Sequence, residues 1–155
     1  MTVDMFMKIT DVKGESRDRV HADEIDVLAW SWGLAQPGST GTGSIGRVSV
    51  QDLSFTKFID RSSMPLIAAC FNNKRYNEAK LTVRSPGERP LEYLTITLKD
   101  CVITAVSTGG GNGEERLTES VTIHFASVTA EYRPQKADGS ADAAVSAKLD
   151  IVRTA

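Results

Sequence analysis

The amino-acid sequence predicts a mainly β protein: a compact antiparallel β-barrel or two-sheet fold with one short flanking α-helix and an extended glycine-rich loop. Three observations support this class. Apolar residues recur at every second position along most of the chain, and glycine-, proline- and polar-rich turns separate these runs. Only one stretch is typical of a helix. The 155 residues are enough for one domain with a sizeable core, so we expect a single domain over 1–155.

The N-terminal third contains two predicted strands. The second, EIDVLAWSWGL, is apolar on both faces, which predicts that both faces are covered. The first, VDMFMKI, alternates, and its apolar side consists of Val3, Met5, Met7 and Ile9.

The predicted helix is SSMPLIAACFNNK, in which Pro65 suits the first turn and Asn72 with Asn73 ends it. Ile67, Cys70 and Phe71 share a face of this helix.

Three predicted strands follow the helix. AKLTVR alternates, and LEYLTITLKDCVITAV is long enough to be a bent strand. SVTIHFASVTAEYRP alternates up to Phe125 and then shifts phase to Val128, as a β-bulge would produce. A polar tail begins near Pro134 and occupies 134–155.

Charge and composition exclude several classes of function. The chain has 18 Lys and Arg against 20 Asp and Glu, a net charge of -2, and therefore lacks the basic excess that nucleic acids or anionic membranes attract. No signal peptide or membrane-spanning apolar run is present, which predicts folding in the cytoplasm. In that reducing compartment, Cys70 and Cys101 are predicted to be buried free thiols rather than a disulfide.

Two glycine-rich stretches resemble phosphate-binding loops in letters only. Gly41, Gly43 and Gly46 spell G-x-G-x-x-G, but the residues after them alternate as a strand, whereas a dinucleotide site needs a helix there. STGGGNGEE lacks the Lys and Ser/Thr of a P-loop, and Asn112–Gly113 indicates a hairpin tip. We therefore predict no cofactor.

The residues also predict no catalytic or metal site. His21 lies in a polar loop and His124 in a strand, and neither has a metal ligand at the usual spacing. A Cys101–His124 pair on neighbouring strands is conceivable, although a structural histidine beside a core thiol is the commoner arrangement. An enzyme using that pair, and a small-ligand-binding β-barrel that oligomerises, remain the alternatives to a structural role.

The first glycine-rich loop is unusual because it carries no charge. A pliable, uncharged loop suits contact with another protein surface, and the alternative is a disordered hairpin connection. Its residues are Pro37, Gly38, Ser39, Thr40, Gly41, Thr42, Gly43, Ser44, Ile45 and Gly46.

Several long stretches together resemble the haemolysin-coregulated protein (Hcp) family of bacterial type VI secretion systems. They are VDMFMKITDVKGESRD, HADEIDVLAWSWGLAQPGS and VSVQDLSFTKFIDRSSMPL, followed in the same order by AKLTVR, EYLTITLKD, VSTGGGNGEERLTESVTIHFASV and EYRPQKADGS. The resemblance covers about residues 1–140. It implies a β-barrel with a flanking helix, in agreement with the pattern of strands.

The resemblance also implies a function. Six copies would form a ring by a heterologous interface, and rings would stack into a tube inside a contractile sheath, with a spike protein at the tip. The lumen would hold small effector proteins, and the chain would leave the cytoplasm by this route, which uses no signal peptide. No reaction by the chain itself is implied.

The resemblance implies three sets of candidate contact residues. The uncharged loop corresponds to the arm that contacts the next subunit. Ser31, between Trp30 and Trp32, is the candidate lumen and effector contact, with packing at a subunit contact as the alternative. The candidates for weak, salt-sensitive ring stacking are Lys13, Glu15, Arg17, Asp18, Glu114, Glu115 and Arg116.

Overall fold

A computed structural model describes residues 3–36 and 48–151 of the chain. Within these ranges the chain forms one α-helix, α1 (Ser63–Asn72), and nine β-strands. The strands are β1 (Asp4–Ile9), β2 (Ile25–Ser31), β3 (Leu34–Ala35), β4 (Ser49–Val50), β5 (Leu53–Phe58), β6 (Arg75–Arg84), β7 (Glu92–Thr108), β8 (Thr118–Tyr132) and β9 (Val145–Asp150).

Six antiparallel strands close into a barrel. The order β5-β2-β1-β6-β7-β8 returns to its start because β8 also pairs with β5. Strand β9 extends the sheet beyond β8, and β3 pairs with β4 as a separate two-stranded sheet. The predicted fold class, a mainly β barrel with one flanking helix, is confirmed.

Strand β8 is long because it pairs with two different strands along the edge that does not face β7. The first half of β8 pairs with β5 and the second half pairs with β9. The buried side of β8 changes phase between Phe125 and Val128, as predicted, but the bulge given as its cause is wrong. The β7–β8 register is unchanged there, and β7 changes phase at the same level, where Asp100 has φ 53.

The core fills the barrel and follows the predicted alternation. Met7, Leu81 and Ile96 are cross-strand partners on β1, β6 and β7, and all three are buried. On β2, where both faces were predicted to be covered, Leu28 and Ala29 are exposed beside a β-bulge, and the described residues of the chain itself do not cover them.

Helix α1 packs against β7. The face that it buries differs from the predicted face of Ile67, Cys70 and Phe71. Its buried residues are Ser63, Leu66 and Ala69, whereas Phe71 is exposed. The helix ends at Asn72, as predicted, and Asn73 follows it in the left-handed conformation. Both cysteines are free, but only Cys101 is buried, and Cys70 beside Phe71 is half-buried.

The segment predicted to be a polar tail contains strand β9. Its sequence, VSAKLD, alternates apolar and polar residues, so that Val145 pairs with Tyr132 and Leu149 pairs with Val128. The strand therefore continues the core-facing side of the sheet past the barrel wall.

Candidate assembly surfaces

One outward face of the barrel consists of small uncharged residues. Strands β2, β5, β8 and β7 are adjacent, and their outward positions align in two rows of cross-strand partners. We call these rows the hydroxyl face; they are Ala29–Thr56–Ser120–Ser107 and Ser31–Ser54–Thr122–Ala105.

The hydroxyl face places Ser31 in a wider surface. Ser31 is exposed at the end of β2, and it lines a shallow depression of about 310 Å³ with Ser54, Thr56 and Ser120. Ser54 Oγ lies 2.9 Å from Thr122 Oγ1, so part of the hydroxyl capacity is used within the face. Such a surface offers short-range hydrogen bonds and no strong electrostatic preference for any partner.

Charged groups bound the hydroxyl face at both ends. At one end His124 Nδ1 lies 2.8 Å from Asp52 Oδ1. At the other end the Arg116 guanidinium lies 3.8 Å from the centre of the Phe58 ring, a cation–π contact.

Three of the predicted stacking residues lie together at that second end. Glu15, Arg17 and Arg116 come from two distant loops and line one cleft of about 480 Å³. Glu15 also accepts a hydrogen bond from the Arg61 backbone N–H at 2.6 Å, which joins its loop to the approach to α1. We call this site the charged cleft, and it is completed by Asp26, Phe58 and Asp60.

The charged cleft holds carboxylates and guanidinium groups, and Glu15, Arg17, Asp26 and Arg116 in it are exposed. Partial burial raises the pKa of Asp26, and this effect is larger than the lowering caused by the hydrogen bond with Ser16. Exposed charges of both signs are suited to a salt-sensitive protein contact.

The other predicted stacking residues lie elsewhere. Lys13 lines a different depression, beside β1 and Glu78. Glu114 lines a depression at the β7–β8 hairpin, and Glu115 is exposed nearby. Asp18 is partly buried and is paired with Arg84, which holds the pKa of that carboxyl well below its usual range.

The loop 10–24 is fastened to the barrel by a second group that sequence reasoning missed. His21 is buried and stacks on Phe6 with the ring centres 4.5 Å apart. Its Nδ1 lies 2.9 Å from Glu24 Oε2, and its Nε2 lies 2.5 Å from Glu92 Oε1. Burial alone would lower the pKa of His21, but these carboxylates together raise it. The i,i+3 spacing of His21 and Glu24 was the only local feature of the sequence that could have indicated these contacts.

The Cys101–His124 hypothesis does not fit the geometry. Cys101 pairs with Phe125 and is buried in the core, whereas His124 is exposed on the opposite side of β8 and contacts Asp52. Burial raises the pKa of the Cys101 thiol to about 12, so the thiolate nucleophile is disfavoured. No cluster of three metal-ligating side chains occurs within residues 3–36 and 48–151.

The ligand-binding alternative is not supported by the interior of the barrel. Large side chains, including Phe55, Phe125 and Met7, fill it and are buried. The depressions described above lie on the surface.

The predicted contact loop, Pro37 to Gly46, lies outside the described residues. The segments on either side of it are described, and Leu34 and Ala35 of β3 pair with Val50 and Ser49 of β4. The strand that was predicted after the glycines, in place of a nucleotide-binding helix, is therefore confirmed.

Two further surfaces are apolar and exposed, and sequence reasoning missed both. One is the outer side of α1, where Met64 and Phe71 are exposed. The other is the core-facing side of the sheet beyond the barrel, where Tyr132 and Val145 are exposed. The absence of charge from SMPLIAACFN and the alternation in VSAKLD were the available signals.

These features define a β-barrel that carries a small uncharged face, a charged cleft and exposed apolar side chains. Within the described chain, no helix has the length and apolar content to cross a bilayer. The family model described as "Type VI secretion system effector, Hcp" matches residues 6–132. The chain belongs to the Hcp family of type VI secretion proteins, and it is thus a structural, secreted component of that system.

Individual relatives agree with this assignment. The chain is 60% identical over 146 residues to "Protein hcp1" of Pseudomonas aeruginosa strain PAO1, covering 92% of this chain and 90% of the relative. A crystal structure of a type VI secretion system effector from Yersinia pestis has a TM-score of 0.79 at 36% identity, covering 95% of this chain and 99% of that one. A structure of a type six secretion system protein has a TM-score of 0.91 at 22% identity, with 99% of both chains covered, and shows the shared fold.

Proposed function

We propose that six copies of the chain form a ring, that rings stack into the inner tube of the type VI apparatus, and that the lumen carries or chaperones small effector proteins. The observation that carries this proposal is the 60% identity to "Protein hcp1" across nine-tenths of both chains. The tube forms in the bacterial cytoplasm, within the sheath and behind the spike protein, and is then exported. Its contacts are with proteins, not with nucleic acid or membrane.

The hydroxyl face is the proposed lumen wall. Ser31 lies in this face beside other small, exposed or half-buried side chains that carry no charge. A channel that holds different effectors benefits from a wall that forms hydrogen bonds without selecting for charge. The proposed stacking contact is the charged cleft, with Lys13 and the Glu114–Glu115 hairpin as outlying groups, because exposed charge pairs are weak and reversible.

We expect wild-type protein at tens of micromolar to have six times the chain mass by sedimentation or native mass measurement. Negative-stain images should show rings with a central hole, since a closed cyclic assembly of a barrel leaves its centre open. A clean monomer at this concentration would contradict the proposal.

The loop from Pro37 to Gly46 is the proposed arm that contacts the next subunit. Replacing Gly41 and Gly43 together with glutamate should raise the concentration at which half of the rings dissociate by about tenfold or more, roughly 1.4 kcal/mol. Charge and bulk would prevent the backbone from lying against its neighbour. The measurement is ring dissociation on dilution, followed by light scattering.

Two controls accompany this test. Gly109→Glu adds the same side chain at an exposed glycine where an added Cβ meets nothing within 4 Å, and it should leave the rings intact. Circular dichroism should show that the double variant remains folded. Hexamers that dissociate like wild type would show that the loop is not the arm.

A further inference from the structure

The ring of His21 contacts a carboxylate at each of its two nitrogens. Nδ1 lies 2.9 Å from Glu24 Oε2, just before β2, and Nε2 lies 2.5 Å from Glu92 Oε1, at the start of β7. A neutral imidazole has one N–H and can donate to only one carboxylate, whereas the imidazolium donates to both. In the neutral ring the other nitrogen would direct its lone pair at a carboxylate oxygen, which is repulsive. The geometry therefore matches the charged form of His21.

The groups around His21 fix the ring and favour its charge. The ring stacks on Phe6 of β1 at an interplanar angle of 13°, and the His21 backbone N–H donates to Asp18 Oδ2 at 3.1 Å. Arg84 on β6 also contacts the Phe6 ring, and its charge is matched by Asp18 and Asp4. Four carboxylates are thus paired with two basic side chains, so the local charge favours a proton on the imidazole.

The loop 10–24 connects His21 to the charged cleft. Ser16 donates its backbone N–H to the Glu24 carbonyl oxygen at 2.9 Å, so the two limbs of the loop are hydrogen-bonded to each other. Glu15 and Arg17 lie on either side of Ser16 and line the charged cleft. The limb that reaches the cleft is therefore held by the limb that the histidine ring joins to β7.

We propose that the imidazolium of His21 is a proton-operated latch, which ties the loop 10–24 to the start of β7 and loosens it when the proton leaves. The contact with Glu92 is the part of the latch that opens, because Glu24 belongs to the loop itself. The Glu92 side chain is 43% exposed, so it can turn into water once the ring is neutral. Opening frees Glu15 and Arg17 from their fixed positions in the charged cleft.

The pKa of His21 sets the pH at which the latch opens. Burial lowers this pKa, and the hydrogen bonds with Glu92 and Glu24 raise it, with a net rise above the ordinary 6.5. Because the folded pKa lies above the unfolded one, the latch contributes fully below about pH 6.5, and its contribution is lost as pH rises through the folded pKa. The loop is fixed on the acid side of that pKa and loosens on the alkaline side.

Histidine NMR of the full chain tests where the proton lies. The chain has two histidines, so His124→Gln assigns both signals. We expect both ring nitrogens of His21 to be protonated at pH 6 and its titration midpoint to lie above 6.5. Glu92→Gln should lower this midpoint by about one unit or more. Glu88→Gln is the matched control, since Glu88 is exposed in the turn before β7, and it should leave the midpoint unchanged.

Hydrogen exchange of peptides from the loop 10–24 tests the latch itself. Their protection, measured against the unstructured peptide at the same pH, should fall about tenfold or more as pH rises through the His21 midpoint. In Glu92→Gln the loop should be less protected at pH 6, and the remaining fall should shift to lower pH. His21→Gln should show no such fall. Peptides from β8 should stay protected throughout, which shows that the barrel remains folded.

The outcomes separate this inference from the proposed function. An unprotonated His21 nitrogen at pH 6, a midpoint at or below 6.5, or loop protection that does not change with pH would overturn the latch. A further expectation rests on the proposed function: stacking of rings through the charged cleft, followed by light scattering, should weaken over the same pH range. Stacking that ignores pH while the loop loosens would overturn the stacking role of the cleft and leave the latch standing.

Discussion

Replacing Lys57 with methionine is expected to lower the free energy of unfolding by about 3–5 kcal/mol. Lys57 is fully buried on β5, directly opposite Glu119 on β8, with Nζ 2.9 Å from Glu119 Oε2. The ammonium also contacts Asp60 Oδ1 at 3.0 Å and donates to Ser63 Oγ at 3.0 Å. Its removal leaves the buried Glu119 carboxylate without its counter-ion, and desolvation of an unpaired charge is costly.

The measurement is denaturant unfolding at one fixed protein concentration, because subunit association contributes to apparent stability. Lys80→Met is the matched control, since Lys80 is an exposed lysine within strand β6 and should change stability by less than about 0.5 kcal/mol. Adding Glu119→Met to Lys57→Met should recover at least half of the loss, because an apolar pair often replaces a buried ion pair without penalty. If the single variant is as stable as wild type, the pair does not hold the barrel together.

Replacing Arg84 with methionine is expected to cost about 3 kcal/mol. The guanidinium donates to both carboxylate oxygens of Asp18, at 2.6 and 3.0 Å, and to Asp4 Oδ2 at 3.0 Å. It also lies 5.0 Å from the centre of the Phe6 ring. These contacts fasten the loop 10–24, which carries part of the charged cleft, to strands β1 and β6. Arg84→Lys should lie between wild type and methionine, because an ammonium cannot form the bidentate contact.

The Arg84–Asp18 ion pair also predicts how the free energy of unfolding changes in acid. Arg84 holds the pKa of Asp18 below its unfolded value, so the contribution is fully present above about pH 4 and is lost as pH falls through the folded pKa. The stability difference between wild type and Arg84→Met should therefore be constant from pH 6 to about pH 4 and narrow from there to pH 2. Arg75→Met, at an exposed arginine of the same strand, is the control and should show no such change. A difference that is constant with pH would contradict the role of Asp18.

Local pattern was sufficient to predict most elements of the fold. The period-two runs predicted the main strands and the phase change in β8, and Asn73 was correctly placed at the end of the helix. The strand after the glycines excluded a nucleotide loop. Each of these features depends on the backbone preferences and polarity of residues close in sequence, which the chain displays directly.

The pairings that organise the site depend on distant residues. Arg84 meets Asp18 across 66 positions, Lys57 meets Glu119 across 62, and Glu15 joins the Arg61 backbone across 46. No local pattern marks such partners, because each side chain alone looks like an ordinary surface charge. Strand β9 was missed for a related reason, since its apolar side lies outside the barrel and its composition resembles a tail.

The sequence by itself determined the class of fold, the positions of the main strands along the chain, the short helix and the family resemblance, because these follow from alternation, turn chemistry and long ordered strings. Only the tertiary structure decided which side of α1 is buried, where the core side of the sheet runs past the barrel, and which charges are paired. Burial and pairing are properties of surfaces brought together from distant parts of the chain. They exist only once the barrel has closed.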